Sequence, residues 1–224
     1  MALHPDRLFP ISPDARAIAR RLYATVRDLP IISPHGHTDP LWYAENAPFP
    51  DPARLFVVPD HYIFRMLYSQ GLRLEDFGIP RSDGGAVETD PRTIWQRFAA
   101  HYHLFRGTPT RLWFDHALET VFGIDERLTP ANADALYDRI AADLAKPAFR
   151  PRALFERFGI EAISTTDGAL DPLASHRAIR DSGWTGRVVP AYRPDACVDP
   201  EFEGFTTNLS ALGALTGCDT LTWT

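Results

Sequence analysis

Three short runs rich in apolar and β-branched residues, at 29–33, 161–165 and 187–192, constrain this chain more than anything else in it. Runs of this length bounded by turn residues read as buried parallel strands, and parallel strands need crossovers, usually helical, between them. Residues 151–158, 171–182 and 205–215 supply helical patterns around the second and third runs. An α/β fold with helices outside a parallel sheet is therefore expected. Ahead of the first run, Ser12 can cap a helix that starts at Pro13, carries Ile18, Leu22 and Val26 on one face, and ends near Asp28.

Between residues 43 and 150 the pattern changes. No convincing strand is present. Capping residues followed by proline open successive helices at Asp90-Pro91, Thr108-Pro109 and Thr129-Pro130, and Asp60 opens another through Phe64, Leu67 and Tyr68. The expected organisation is a first helix and strand over 1–42, a large helical insertion over 43–150, and further strand–helix units over 151–224. A closed eight-stranded α/β barrel needs about 250 residues before any insertion. With three strand–helix units visible, the sheet is expected either to be small and open or to belong to a barrel that these residues do not complete.

Charge and composition exclude several classes of function. The formal net charge is −6 and no basic run is present, which argues against nucleic acid or an anionic membrane as partner. The opening MALHPDRLFP lacks the basic-then-apolar layout of a secretory signal, and no apolar run approaches the ~20 residues of a membrane span. Cys197 and Cys218 are not at zinc-site or redox spacing and read as inert side chains in a reducing compartment. A cytoplasmic protein is expected.

His35-Gly36-His37 is the sharpest chemical signal. Residues two apart at a strand end project to one side, so two imidazoles can share one metal ion, and sites in parallel α/β folds form at the carboxyl ends of strands. Following a buried strand, this reading outweighs that of two polar loop residues. Asp60-His61-Tyr62 by itself reads as an N-cap followed by two half-buried amphipathic side chains. Thr165-Thr166-Asp167 and Tyr192-Arg193-Pro194-Asp195 close the second and third strands, where turn chemistry and a binding role are evenly balanced. Arg193 could hold a carboxylate bidentately, and the shared rim with His35 and His37 favours the binding role. His101, His103, His116 and His176 fall on expected helices away from strand ends and read as structural or surface residues. The five tryptophans read mostly as core.

In this order the pieces resemble a known family. Ser33-Pro34-His35-Gly36-His37-Thr38-Asp39-Pro40 resembles the His-x-His strand end of the amidohydrolase superfamily. The succession that follows is similar to uronate isomerases: Ala44-Glu45-Asn46 with Phe49, Asp60-His61-Tyr62 before Arg65 and Gly71, Phe98, the Trp113 to His116 region, Phe122-Gly123-Ile124, the Ile163-Ser164-Thr165-Thr166-Asp167 strand before Asp171-Pro172-Leu173, and Pro190-Ala191-Tyr192-Arg193-Pro194-Asp195. The resemblance covers essentially the whole chain. It implies the N-terminal part of a metal-dependent (β/α)8 TIM barrel with a large helical insertion after the first strand. The implied enzyme interconverts D-glucuronate with D-fructuronate and D-galacturonate with D-tagaturonate, in hexuronate catabolism, by metal-assisted proton transfer through an enediolate. The implied cofactor is a divalent metal, zinc first among the candidates, on His35 and His37. His61 and Tyr62 would face the sugar in catalysis, and Arg193 and Asp167 would bind substrate. A small hexuronate is the implied partner, and a homo-oligomer is compatible with the pattern.

The family also places an aspartate, both metal ligand and proton-moving base, and a further arginine late in its sequence, in segments these residues do not contain. Two histidines do not complete a catalytic zinc site, which uses three protein ligands and a water. Weak metal binding and little or no turnover are expected from these residues alone. Two other readings stay open: an amidohydrolase-type hydrolase, against which the helical insertion argues, and a non-catalytic chain that binds acidic sugars or a partner.

Overall fold

The computed structural model describes residues 3–220 and Thr222. Met1, Ala2, Leu221, Trp223 and Thr224 lie outside the described residues, and so does the expectation of a core position for Trp223. Contacts divide the chain into two compact units, residues 1–27 with 48–149 and residues 28–47 with 150–224. The first helix thus groups with the helical segment and not with the first strand, unlike the expected 1–42 segment. Two bonds tie the N-terminal residues to that unit: Leu3 N donates to Glu119 Oε2 at 2.6 Å, and Arg7 Nη2 lies 3.1 Å from His116 Nδ1.

The helical unit contains α1 (Pro13–Ala24) and, across the central segment, α3 (Pro52–Phe56), α4 (His61–Ser69), α5 (Pro91–His101), α6 (Pro109–Phe122) and α7 (Ala133–Leu144). Proline at the first turn with a capping side chain before it starts α3, α5 and α6, and α4 has the capping side chain alone. Asp51 accepts from Arg54 N at 2.8 Å, Asp60 from Tyr62 N at 2.8 Å, Asp90 from Thr93 N at 3.0 Å and Thr108 from Arg111 N at 3.2 Å. Each such cap satisfies donors the helix cannot and is worth about 1 kcal/mol. Trp95, Phe98, Tyr102, Phe105, Phe114, Leu118, Leu136 and Ile140 fill the core behind these starts. The buried Trp95 indole donates to Ala133 O at 2.9 Å, which fixes α5 against the start of α7.

Three expectations here are corrected. Thr129-Pro130 does not open a helix. Thr129 donates to the Asn132 side chain through its amide at 2.8 Å and its hydroxyl at 2.9 Å, and α7 begins after Asn132. Ser12 stands at the N-cap of α1 but its hydroxyl makes no capping bond, and the helix ends at Ala24. Ile18, Leu22 and Val26 do not form a buried stripe: all three are at least half exposed, and Val26 lies beyond the end of the helix.

The second unit holds a three-stranded parallel sheet in the order β1 (Ile31–Ser33), β2 (Ile160–Gly168), β3 (Arg187–Arg193). It also contains α2 (Pro40–Glu45), α8 (Pro151–Arg157), α9 (Ala174–Asp181), α10 (Asp195–Val198) and α11 (Phe205–Thr216). The mixed α/β class with a parallel sheet is as expected. Ile163 shares one face of the sheet with Val188, its partner in register, and packs there with Tyr43 of α2, Phe155 of α8 and Ile179 of α9. The other face carries Ile32, Ser164, Val189 and Arg193 by alternation, and among the described residues the core that α2, α8 and α9 form on the sheet lies on the Ile163 face. The expected burial of β1 is corrected for the same reason. Ile31 is 49% and Ile32 63% exposed, since β1 has one neighbour and one bare face. β2 runs to Gly168, longer than read, because Thr166, Asp167 and Gly168 pair in register with Ala191, Tyr192 and Arg193. α9 starts at Ala174 and not near Asp171. Leu173 before it adopts φ +52°, a left-handed conformation that interrupts the helix.

Candidate functional site

The loop that leaves β1 carries His35 and His37. Their ring centroids are 5.1 Å apart and the ring planes are at 87°. The loop is fixed to β2 by Thr166, whose hydroxyl donates to Gly36 O at 2.8 Å. Glycine at 36 has a steric reason, because a Cβ there would lie 3.3 Å from the Ser164 carbonyl oxygen. Any other side chain would need the loop or the strand to give by a few tenths of an ångström.

A cavity of about 550 Å³ opens beside this pair, across the carboxyl ends of β2 and β3. His37, Thr166, Asp167, Leu173, His176 and Arg193 are among its walls. Four of the sequence-predicted residues, His35, His37, Asp167 and Arg193, therefore come together in one unit. They do so from two sides of the sheet. Arg193 pairs with Gly168 and follows Thr166 on the bare face, whereas Asp167 alternates with Thr165 and Ile163 toward the helices. Arg193 is exposed and donates through Nε to Asp195 Oδ2 at 3.3 Å. An exposed pair of this kind contributes little, and the guanidinium keeps its terminal donors for a carboxylate.

His176 was read from its sequence position as a structural or surface residue, and the structure places it inside as a buried, hydrogen-bonded side chain that also lines the cavity. Its side chain is 9% exposed, and its Nε2 sits 2.8 Å from Thr165 Oγ1 and 3.9 Å from Asp167 Oδ2. The signal available in the sequence was its place in the first turn after a strand end, Thr165-Thr166-Asp167, where side chains of the next helix reach back over the sheet.

His61 and Tyr62 belong to the helical unit. They are the first residues of α4, capped by Asp60, with ring centroids 4.2 Å apart and both side chains exposed. A capped helix start of this kind presents polar groups to solvent or ligand. Their expected role is left to the family pattern.

The donor chemistry of the histidine pair fits a divalent cation. Two imidazoles on one tetrahedral zinc, with Zn–N near 2.0–2.1 Å, place their ring centroids about 5 Å apart, and the observed 5.1 Å matches. Among the described residues no group of three or more histidine, cysteine, aspartate and glutamate side chains forms a metal cage. No disulfide competes for the thiols: Cys197 is buried and free, and Cys218 is exposed and free. No helix among the described residues is long and apolar enough to cross a membrane.

Comparison with known proteins is consistent along the whole chain. The sequence profile of the glucuronate isomerase family matches residues 13–224. The chain is 67% identical over 219 residues to a uronate isomerase of Mesorhizobium japonicum, covering 98% of this chain and 47% of that protein. It is 64% identical over 221 residues to a uronate isomerase of Rhizobium meliloti, covering 99% and 47%. Among solved structures, a glucuronate isomerase from Caulobacter crescentus superimposes with a TM-score of 0.92 at 52% identity, over 99% of this chain and 46% of the other. A uronate isomerase from Thermotoga maritima superimposes with a TM-score of 0.84 at 26% identity, over 98% and 46%. The chain spans about half the length of the relatives it matches.

Proposed function

Because this chain belongs to the glucuronate isomerase family, we propose that it supplies the first part of an aldose–ketose isomerase site for hexuronates. The reaction interconverts D-glucuronate with D-fructuronate and D-galacturonate with D-tagaturonate. The observation that carries the proposal is the His35–His37 pair, rings 5.1 Å apart, just past the carboxyl end of β1, with Arg193 at the carboxyl end of β3 in the same parallel sheet. The sheet is read as the first three strands of a (β/α)8 barrel of the amidohydrolase type. Supporting that reading, its strands follow chain order, helices cover one face, and the other face is bare as a barrel interior would be before closure.

The chemistry required is a proton balance. The open-chain aldose loses hydrogen from C2 and from O2 and gains hydrogen at C1 and at O1, passing through an enediolate. A divalent cation, zinc first, held by His35 and His37 would stabilise the negative charge that develops on oxygen. Arg193 binds the substrate carboxylate through its terminal guanidinium donors and so fixes the far end of the sugar. Asp167 accepts a sugar hydroxyl at the cavity wall. The family resemblance assigns His61 and Tyr62 to the sugar, where an imidazole can move a proton near neutrality and a phenol can donate to an oxygen.

The test follows ketose formation from D-glucuronate with added zinc. The 224-residue chain is compared with the polypeptide expressed to its natural stop. Turnover in the latter, lost in His61→Gln and with KM raised at least about tenfold in Arg193→Lys, is the expected result. Absence of turnover from every hexuronate with zinc, manganese or magnesium overturns the proposal.

A further inference from the structure

Asp167 reaches the cavity from the helical side of the sheet, held by a buried chain of polar groups. Thr165, fully buried, donates its hydroxyl proton to Asp167 Oδ2 at 2.7 Å. A hydroxyl has one proton, and the charge-assisted bond to the carboxylate is the strongest claim on it. The weaker contact from Thr165 Oγ1 to Val189 O, at 3.4 Å, does not compete. Thr165 Oγ1 must then accept from His176 Nε2–H, 2.8 Å away. The direct distance from His176 to Asp167, 3.9 Å, is too long for a hydrogen bond, so threonine is the relay. The second carboxylate oxygen, Oδ1, has no partner within the protein among the described residues. No buried side-chain oxygen there goes unpaired, so Oδ1 keeps contact with solvent through the cavity that Asp167 lines.

We propose that His176 is a positioning residue for sugar recognition: through Thr165 it fixes the Asp167 carboxylate so that Oδ1 accepts a hydroxyl proton of the hexuronate. The inference rests on the reading of Asp167 as a substrate-binding residue. Three rigid supports make the geometry specific. Thr165 and Asp167 lie on the central strand of the sheet, both paired in register with β3. His176 comes from the first turn of α9, and its entry is set by Leu173 at φ +52° and by Asp171 Oδ1, which accepts from Leu173 N at 2.6 Å. The bond Oδ1 accepts from a sugar hydroxyl contributes to ground-state and transition-state binding alike, so its loss falls on KM and not on kcat.

Two readouts test this separately. By NMR on the 224-residue chain, a His176 Nε2–H proton protected from solvent exchange is expected in the wild type and in Thr165→Ser, and absent in Thr165→Val. On the polypeptide expressed to its natural stop, Thr165→Val and His176→Leu are expected to raise the hexuronate KM about tenfold, as loss of a well-aligned bond to a charged group does, with kcat within a factor of two. Thr165→Ser and His176→Gln, which keep the donor, are expected to restore KM. Asp167→Ala is expected to show the same defect, and the double variant Asp167→Ala with His176→Leu no more than Asp167→Ala alone. An exposed, fast-exchanging His176 proton overturns the network, and a KM unchanged in His176→Leu while Asp167→Ala raises it overturns the positioning role. Absence of wild-type turnover with a protected proton retires the isomerase reading and, with it, the role in sugar recognition, while leaving the network in place.

Discussion

Two His-x-His motifs occur in this chain, and the structure sets them in different geometries. His35 and His37 leave a strand end, and their rings lie edge to face at 5.1 Å. His101 and His103 sit where α5 gives way to a tight turn. Their rings are 6.5 Å apart, and each Nδ1 is engaged by a backbone carbonyl, Arg97 O at 2.8 Å and Ala100 O at 3.2 Å. Spacing along the chain is the same, so the difference comes from what precedes each motif. A strand end with glycine between the histidines converges, and a helix end does not. Zinc titration of the 224-residue chain should therefore show weak binding that His35→Ala or His37→Ala reduces by at least about tenfold, the loss of one of two ligands, and that His101→Ala and His103→Ala leave unchanged. Equal losses from both pairs would remove the metal assignment. The same scale shows where sequence reading stops. The places of His35, His37 and Arg193 after apolar runs were legible, and the structure puts them just past β1 and at the last residue of β3. His176 was not, because a lone histidine on a helix gives no sign that the helix delivers it to a buried threonine of the neighbouring strand.

Helix starts were the most legible elements, since proline at the first turn and a capping side chain act locally. The starts of α5 and α6 fall where Asp90-Pro91 and Thr108-Pro109 place them. Thr129-Pro130 carries the same signature and fails, because Asn132 three residues on competes for the Thr129 donors and becomes the helix boundary. Strand ends were less legible. Thr166-Asp167-Gly168 has turn composition, and only pairing with β3 keeps it extended. Within the helical unit, one knot joins the tight turn after α5 to α6: the Tyr102 hydroxyl donates to Asp115 Oδ1 at 2.7 Å, Arg111 Nε donates to Asp115 Oδ2 at 2.8 Å, and the guanidinium lies 4.0 Å over the Tyr102 ring. Burial first, and then the bond to Asp115, pushes the Tyr102 phenol well above its ordinary range. A raised phenol stabilises the fold fully below the unfolded value near pH 10, and that contribution drains as the pH climbs above it. Tyr102→Phe should cost roughly 1–2 kcal/mol at pH 7 in urea unfolding. The gap to wild type should then narrow by about 1.4 kcal/mol per pH unit above pH 10. A gap that stays constant to pH 11 would show that the hydroxyl is not held neutral.

At the scale of the whole molecule, each unit has to be judged on what it leaves uncovered. The sheet unit leaves more than a finished α/β domain does. Both edge strands, β1 and β3, have one partner each, and the face opposite the helices carries Ile32 at 63% and Val189 at 36% exposure. α11 reads as an apolar helix, yet none of its residues is buried, and Leu215 is 67% exposed. Unpaired strand edges beside bare apolar surface are the features that drive association, and native proteins cover or charge them. The relatives are about twice as long as this chain, and under the proposed barrel reading the half of the family sequence that these residues do not span would supply the cover. This part of the architecture could not be read from strands and helices alone, because an alternating pattern gives the order of units and says nothing about which edge finds a partner. The expected behaviour is concrete. Expressed alone, the 224-residue chain should self-associate and bind a dye for exposed apolar surface. Co-expressed with the C-terminal half of the Mesorhizobium japonicum relative, it should elute as a defined complex with equal amounts of each piece, with the dye signal lost and amides of β1 and β3 newly protected from exchange. Protection of those amides is the decisive readout, since only a strand laid against each edge can give it. A chain that stays monomeric by itself, with edge amides already protected, would mean the sheet is finished as it stands and that the barrel reading is wrong.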